Sequence, residues 1–111
     1  MKIDLLIAED DICLNDLVAS SLTDEYLVSQ AYNLEQAKAL CDKSQFSVIV
    51  LDYHFPDGDG VELIHHVKKQ GNSPIIVFLS ASEELDTKMN AFNAGAADWI
   101  DKRSFIPPLL L

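Results

Sequence analysis

The segment "FSVIVLDYHFPDGDG" (residues 46–60) sets the architecture of the chain. It opens on a continuous apolar, β-branched run, the mark of a central parallel strand covered on both faces. The run stops at a carboxylate, Asp52, and passes into turn residues. An acid in that place serves as a metal ligand, a general base, a nucleophile or the first residue of a turn. The flanking sequence has to choose among these.

Upstream, "IDLLIA" (3–8) reads as a strand, and "DDICLNDLVASSL" sets Leu14, Leu17, Val18 and Leu22 on one helical face. "YLVSQAY" (26–32) alternates more and suits an edge strand. Asn33, with Gln36 three residues on, caps a helix through Leu34, Ala37 and Cys41. Downstream, Asp59 followed by Glu62 caps a helix with Leu63, Ile64 and Val67 inward, and Gly71 stops it. "PIIVFL" (74–79) is a further buried strand. Ser82, Glu83 and Glu84 open a helix through Leu85, Met89 and Phe92 that ends near Gly95, and "ADWI" (97–100) is a short fifth strand. Strands alternating with helices give βαβ units and a parallel sheet with helices on both faces. The tail "SFIPPLLL" has prolines suited to a helix start and leucines suited to its buried face. It reads as a last helix cut short, and residues 1–111 as one domain forming the N-terminal part of a longer chain.

Composition agrees with one domain able to bury a core without disulfides or a structural metal. The net charge of −10 argues against direct binding of nucleic acid through its phosphates, and fits a cation site or a basic partner. Cys13 and Cys41, both among apolar neighbours and with no CxxC spacing, read as reduced core thiols of a cytoplasmic protein. The first ten residues form neither a signal peptide nor a membrane span.

In such a sheet, ligands bind beyond the carboxyl ends of the strands. There the chain sets Glu9, Asp10 and Asp11 after the first strand, Asp52 after the third, Ser80 after the fourth and Lys102 after the fifth. Clustered carboxylates repel, so some must hold a proton or a cation. Oxygen ligands alone select a hard ion, Mg²⁺ or Ca²⁺. With an ammonium and a hydroxyl nearby, these are the parts of a phosphoryl-transfer site, and Asp52 is best placed as the nucleophile.

The acidic pair Glu9–Asp10, Asp52 within "DYHFPDGDG", Ser80–Ala81, and "GAADWIDK" ending in Lys102 together resemble the response-regulator receiver domain of two-component signalling. The resemblance implies an α/β, flavodoxin-like, doubly wound five-stranded parallel sheet of order 2-1-3-4-5. It implies that Asp52 takes a phosphoryl group from a sensor histidine kinase or phosphotransfer protein, with Mg²⁺ held by Asp10, Asp52 and the backbone carbonyl of His54. Glu9 then acts mostly through water, and Ser80 and Lys102 bind the phosphoryl oxygens. Trp99, three residues before the lysine, stands at the family's aromatic switch position. The expected output is a remodelled face of the fourth helix, fifth strand and fifth helix, read by an output domain in cis or a partner protein, and able to pair two copies. Apart from accepting and losing its own phosphoryl group, such a domain is not an enzyme. It has no contact with a membrane.

Two departures stand out. Arg103 follows the lysine where the family usually has proline, so the Lys102–Arg103 bond is expected to be trans, or cis under strain. Trp99 is bulkier than the usual tyrosine or phenylalanine. Two other functions compete. A phosphatase of the haloacid-dehalogenase type would carry a second acid two residues after its nucleophile, where this chain has His54. A receiver relative that is never phosphorylated would serve only as an interaction platform. "DGDG" (57–60) reads as turn glycines rather than a calcium loop, and the adjacent His65 and His66 face apart on a helix.

Overall fold

The computed structural model describes residues 2–81 and 85–102. Its elements run β1 (Ile3–Ala8), α1 (Ile12–Leu22), β2 (Tyr26–Ala31), α2 (Leu34–Lys43), β3 (Val48–Leu51), β4 (His54–Phe55), β5 (Gly58–Asp59), α3 (Val61–Lys69), β6 (Ile75–Ser80), α4 (Leu85–Ala94) and β7 (Asp98–Asp101). Five strands form one parallel sheet of order β2-β1-β3-β6-β7, the order 2-1-3-4-5 implied by the resemblance. The short antiparallel ribbon β4-β5 lies apart from it.

Alternation along the strands divides the core in two. Leu6, Ile49, Leu51, Ile76 and Phe78 pack with Leu34, Leu63, Ile64 and Val67 of α2 and α3. Leu5, Ile7 and Leu79 pack on the other face with Leu14 and Val18 of α1. The helix ends follow local chemistry. Asn33 accepts the Gln36 amide, and the Gln36 side chain accepts the amide of Tyr32. Gly71, at φ +80°, closes α3 with paired bonds from Gly71 to Lys68 and from Asn72 to Val67.

Several expectations change. The inward face of α1 carries Leu14, Asn15, Val18 and Ala19, while Leu17 is 44% exposed. Small and polar residues inside let α1 lie close to the sheet and turn Leu17 to its flank. Cys13 is exposed and only Cys41 is buried, because Cys13 lies on the outer side of the same helix. Asp59 does not cap α3. Gly60 occupies that position, with no side-chain cap bond, while Asp59 pairs with His54 in the ribbon. Ser80 is the last residue of β6 rather than the first beyond it. The α4 opening at Ser82–Glu84, the Lys102–Arg103 bond and the last helix fall outside the described residues.

Candidate functional site

The site grows from the ends of the strands. The amide of Asp52 donates to Ala8 O at 2.9 Å, and that of Glu9 to Ala31 O at 3.0 Å, so both acids continue the sheet's ladder by one residue. Asp52 is 5% exposed and Glu9 1%. Asp10, the next residue along, is exposed. Glu9, Asp10 and Asp52 each offer a carboxylate oxygen, and these atoms lie within 4.8 Å of one another.

Lys102 reaches back from the end of β7 into this cluster. Its Nζ lies 2.7 Å from Glu9 Oε1 and 2.9 Å from Asp52 Oδ2. The remaining oxygens are also engaged. Asp52 Oδ1 accepts the Tyr53 amide at 2.7 Å, and Glu9 Oε2 accepts the Asp11 amide at 3.0 Å. Asp11 itself caps α1 by accepting the Leu14 amide. Ser80 is buried at the end of β6, opposite Asp101.

Electrostatics follow from this crowding. Burial pushes the Glu9 carboxyl up to about 7; the hydrogen bonds from Lys102 and the Asp11 amide pull against it, while Asp10 and the Asp52 charge add to the rise. Burial disfavours the Lys102 charge, but Glu9 and Asp52 outweigh it and hold the ammonium above the ordinary lysine value. A cluster of hard oxygen donors that already gathers a cationic side chain fits a small divalent ion that keeps several of its waters.

The loop after Asp52 is shaped by close backbone approach. Gly60 donates to Tyr53 O, and a Cβ on Gly60 would collide with Asp52 O. Asp57, at the tip of the ribbon, accepts the first amides of α2, from Leu34 and Glu35, both at 3.1 Å. Trp99 is half-buried. It stacks on Phe78 at 5.6 Å and meets Tyr53 at 6.2 Å, with Lys88 Nζ 5.9 Å from its ring centre.

Acids, hydroxyl and lysine thus stand at one edge of the sheet, in the order expected of the sequence. The sequence model of the response regulator receiver domain matches residues 5–110. The chain belongs to that family.

This receiver domain is 38% identical over 103 residues to the transcriptional regulatory protein KdpE of Staphylococcus aureus, covering 92% of this chain and 44% of that protein. It is 27% identical over 107 residues to the transcriptional regulatory protein CiaR of Streptococcus pneumoniae, covering 96% of this chain and 48% of that protein. The chain therefore spans about half the length of these curated relatives. Among solved structures, the chemotaxis protein CheY4 of Vibrio cholerae matches with a TM-score of 0.85 at 27% identity, over 92% of this chain and 88% of that one.

Sequence reasoning missed three features of the receiver domain. Lys102 bridges Glu9 as well as Asp52, a contact that no spacing announces. Asp57 caps α2 from 22 and 23 residues away in sequence. Asn15 sits wholly buried beneath the acid pair. Its one signal was a polar residue beside Leu14 and Val18 on the inward stripe of α1. His66 Nε2 lies 2.8 Å from Asp42 Oδ1 on α2, and His65 lines a groove with Asn90 and Asn93 of α4, while both histidines line a second groove with Lys38 and Glu62. Among the described residues no helix is long and apolar enough to cross a membrane.

Proposed function

We propose that this receiver domain accepts a phosphoryl group on Asp52 from the phosphohistidine of a sensor histidine kinase or phosphotransfer protein. The observation that carries this reading is the bridge from Lys102 to Glu9 and Asp52, with Asp10 close enough to share an ion. In the transfer, a carboxylate oxygen of Asp52 bonds to phosphorus, the phosphorus–nitrogen bond to the donor breaks, and the departing imidazole keeps the electron pair and takes a proton. Asp10, Asp52 and the His54 carbonyl would hold Mg²⁺, with Glu9 acting through water. When bound, the ion offsets charge on the carboxylates and on the phosphoryl oxygens.

Lys102 moves from the carboxylate oxygen of Asp52 to a phosphoryl oxygen, and Ser80 donates to another. These new bonds favour one of two arrangements of the β6–α4 loop and Trp99. The receptive face is that of α4 and β7, where Leu85, Met89 and Phe92 already stand exposed. An output domain in cis, a partner protein or a second copy reads the change. The net charge of −10 argues against nucleic-acid contact by this domain through phosphates. The setting is the cytoplasm.

Beryllofluoride with Mg²⁺ tests this reading through Trp99 emission. A change in wild type that is lost in Asp52→Asn supports it. No response that depends on Mg²⁺ would favour an interaction platform, and steady turnover of diverse phosphate esters would favour a phosphatase.

A further inference from the structure

Asn15 is fully buried on the face of α1 that packs on the sheet, at a place where an apolar residue would bury surface without losing hydration. Its side-chain amide donates both ways: to Glu9 O at 3.0 Å and to Ala31 O at 2.9 Å. Two carbonyls on one side leave only one orientation for the amide, nitrogen toward them. The Asn15 oxygen in turn accepts Gln30 Nε2 at 2.9 Å. Gln30 also donates to Asp16, which accepts the Tyr32 hydroxyl. A chain of hydrogen bonds thus runs from the surface of β2 to the backbone of the acid pair.

The carbonyl at the end of that chain matters. Glu9 N–H still follows the sheet ladder to Ala31, while Glu9 C=O accepts the Asn15 amide. The plane of the Glu9–Asp10 peptide sets where Asp10 begins, and Asp10 is the exposed member of the three-acid cluster. We infer that Asn15 is a positioning residue for the ion site: it fixes the Glu9–Asp10 peptide and through it holds the Asp10 carboxylate beside Asp52.

This rests on the proposed Mg²⁺ reading, and the experiment separates the two. Mg²⁺ binding to the purified chain is measured by calorimetry, alongside thermal unfolding and the rate of labelling by acetyl phosphate. Wild type is compared with Asn15→Leu, Gln30→Leu and the ligand control Asp10→Asn. Loss of a hydrogen-bond partner that orients a metal ligand weakens binding by about 10-fold or more. Asn15→Leu is therefore expected to raise the Mg²⁺ dissociation constant about 10-fold. Its labelling rate should return to within about twofold of wild type once Mg²⁺ saturates. Gln30→Leu, which frees the Asn15 amide to turn, shifts the same constant in the same direction by less. A purely structural role would lower the melting temperature and leave the dissociation constant unmoved, and that result overturns the inference. Should Asn15→Leu fail to fold, Asn15→Ala, which removes both donors in a smaller volume, is read by the same criterion. Wild type that binds no Mg²⁺ overturns the proposed function and this inference together. Wild type that binds normally beside an unaffected Asn15→Leu overturns this inference alone.

Discussion

Lys102 joins two carboxylates through one ammonium, and the balance at this residue governs the resting site. Its side chain is 18% exposed, so water screens the pair only in part. Replacing it with Met leaves buried acids without their counter-charge. Lys102→Met is expected to cost about 2 kcal/mol at pH 8 in chelator, below the full penalty of a wholly buried broken pair. Urea unfolding measures this, and Mg²⁺ should restore most of the loss. Glu9 adds a pH dependence whose sign is opposite to that of most carboxylates. Its folded pKa, about 7, lies above the ordinary 4.5, so the folded state binds the extra proton between those values. The stabilisation is complete below pH 4.5 and is lost as pH rises through 7. In chelator the wild-type chain should grow less stable across that window, while Glu9→Gln shows a flatter profile. Equal slopes in the two proteins would contradict the assignment.

At the scale of elements, the termini and turns carry the site. Asn33→Ala removes the side-chain cap of α2 and should cost about 1 kcal/mol by urea unfolding. Asp57 draws the same helix end toward the ribbon that follows Asp52. Partial desolvation raises its pKa, but the Leu34 and Glu35 amides, aided by its own amide and Lys38, more than reverse this. Its contribution is present above the ordinary value of 3.8 and fades as pH falls through the lower folded one. Gly60 is required by contact rather than by conformation. An added methyl would press on Asp52 O, so Gly60→Ala should cost about 2 kcal/mol and slow phosphorylation. These constraints show where sequence reading succeeds and fails. The five strands of the main sheet, the Asn33 cap and the Gly71 stop were legible because each depends on neighbours in the chain. Leu17 and Cys13 were not, because the inward arc of α1 is chosen by how closely it packs on the sheet. On α4 the stripe of Leu85, Met89 and Phe92 is the exposed one, and Thr87, Ala91 and Ala94 lie inside.

For the whole molecule, the parallel sheet turns sequence distance into proximity. Asp52 and Lys102 are 50 residues apart yet hydrogen-bonded, because β3, β6 and β7 pair in parallel and end at one edge. That much of the site was readable, since each polar residue follows an apolar run. The contacts of Asn15 beneath it and of Asp57 beside it depend on how helix and loop meet in space, which no local pattern encodes. The aromatic stack of Phe78 and Trp99 links the same edge to the face of α4, and Lys88 stands over the ring. Lys88→Met should therefore alter Trp99 emission at rest while leaving phosphorylation of Asp52 within about twofold of wild type, as read by mass. The pocket's purpose is tested most directly by peptide mass spectrometry of the chain after incubation with acetyl phosphate. With Mg²⁺ present, one phosphoryl group should appear on the peptide holding Asp52, and it should vanish in chelator or in Asp52→Asn. Labelling that survives Asp52→Asn, or no labelling of wild type at saturating Mg²⁺, would contradict it.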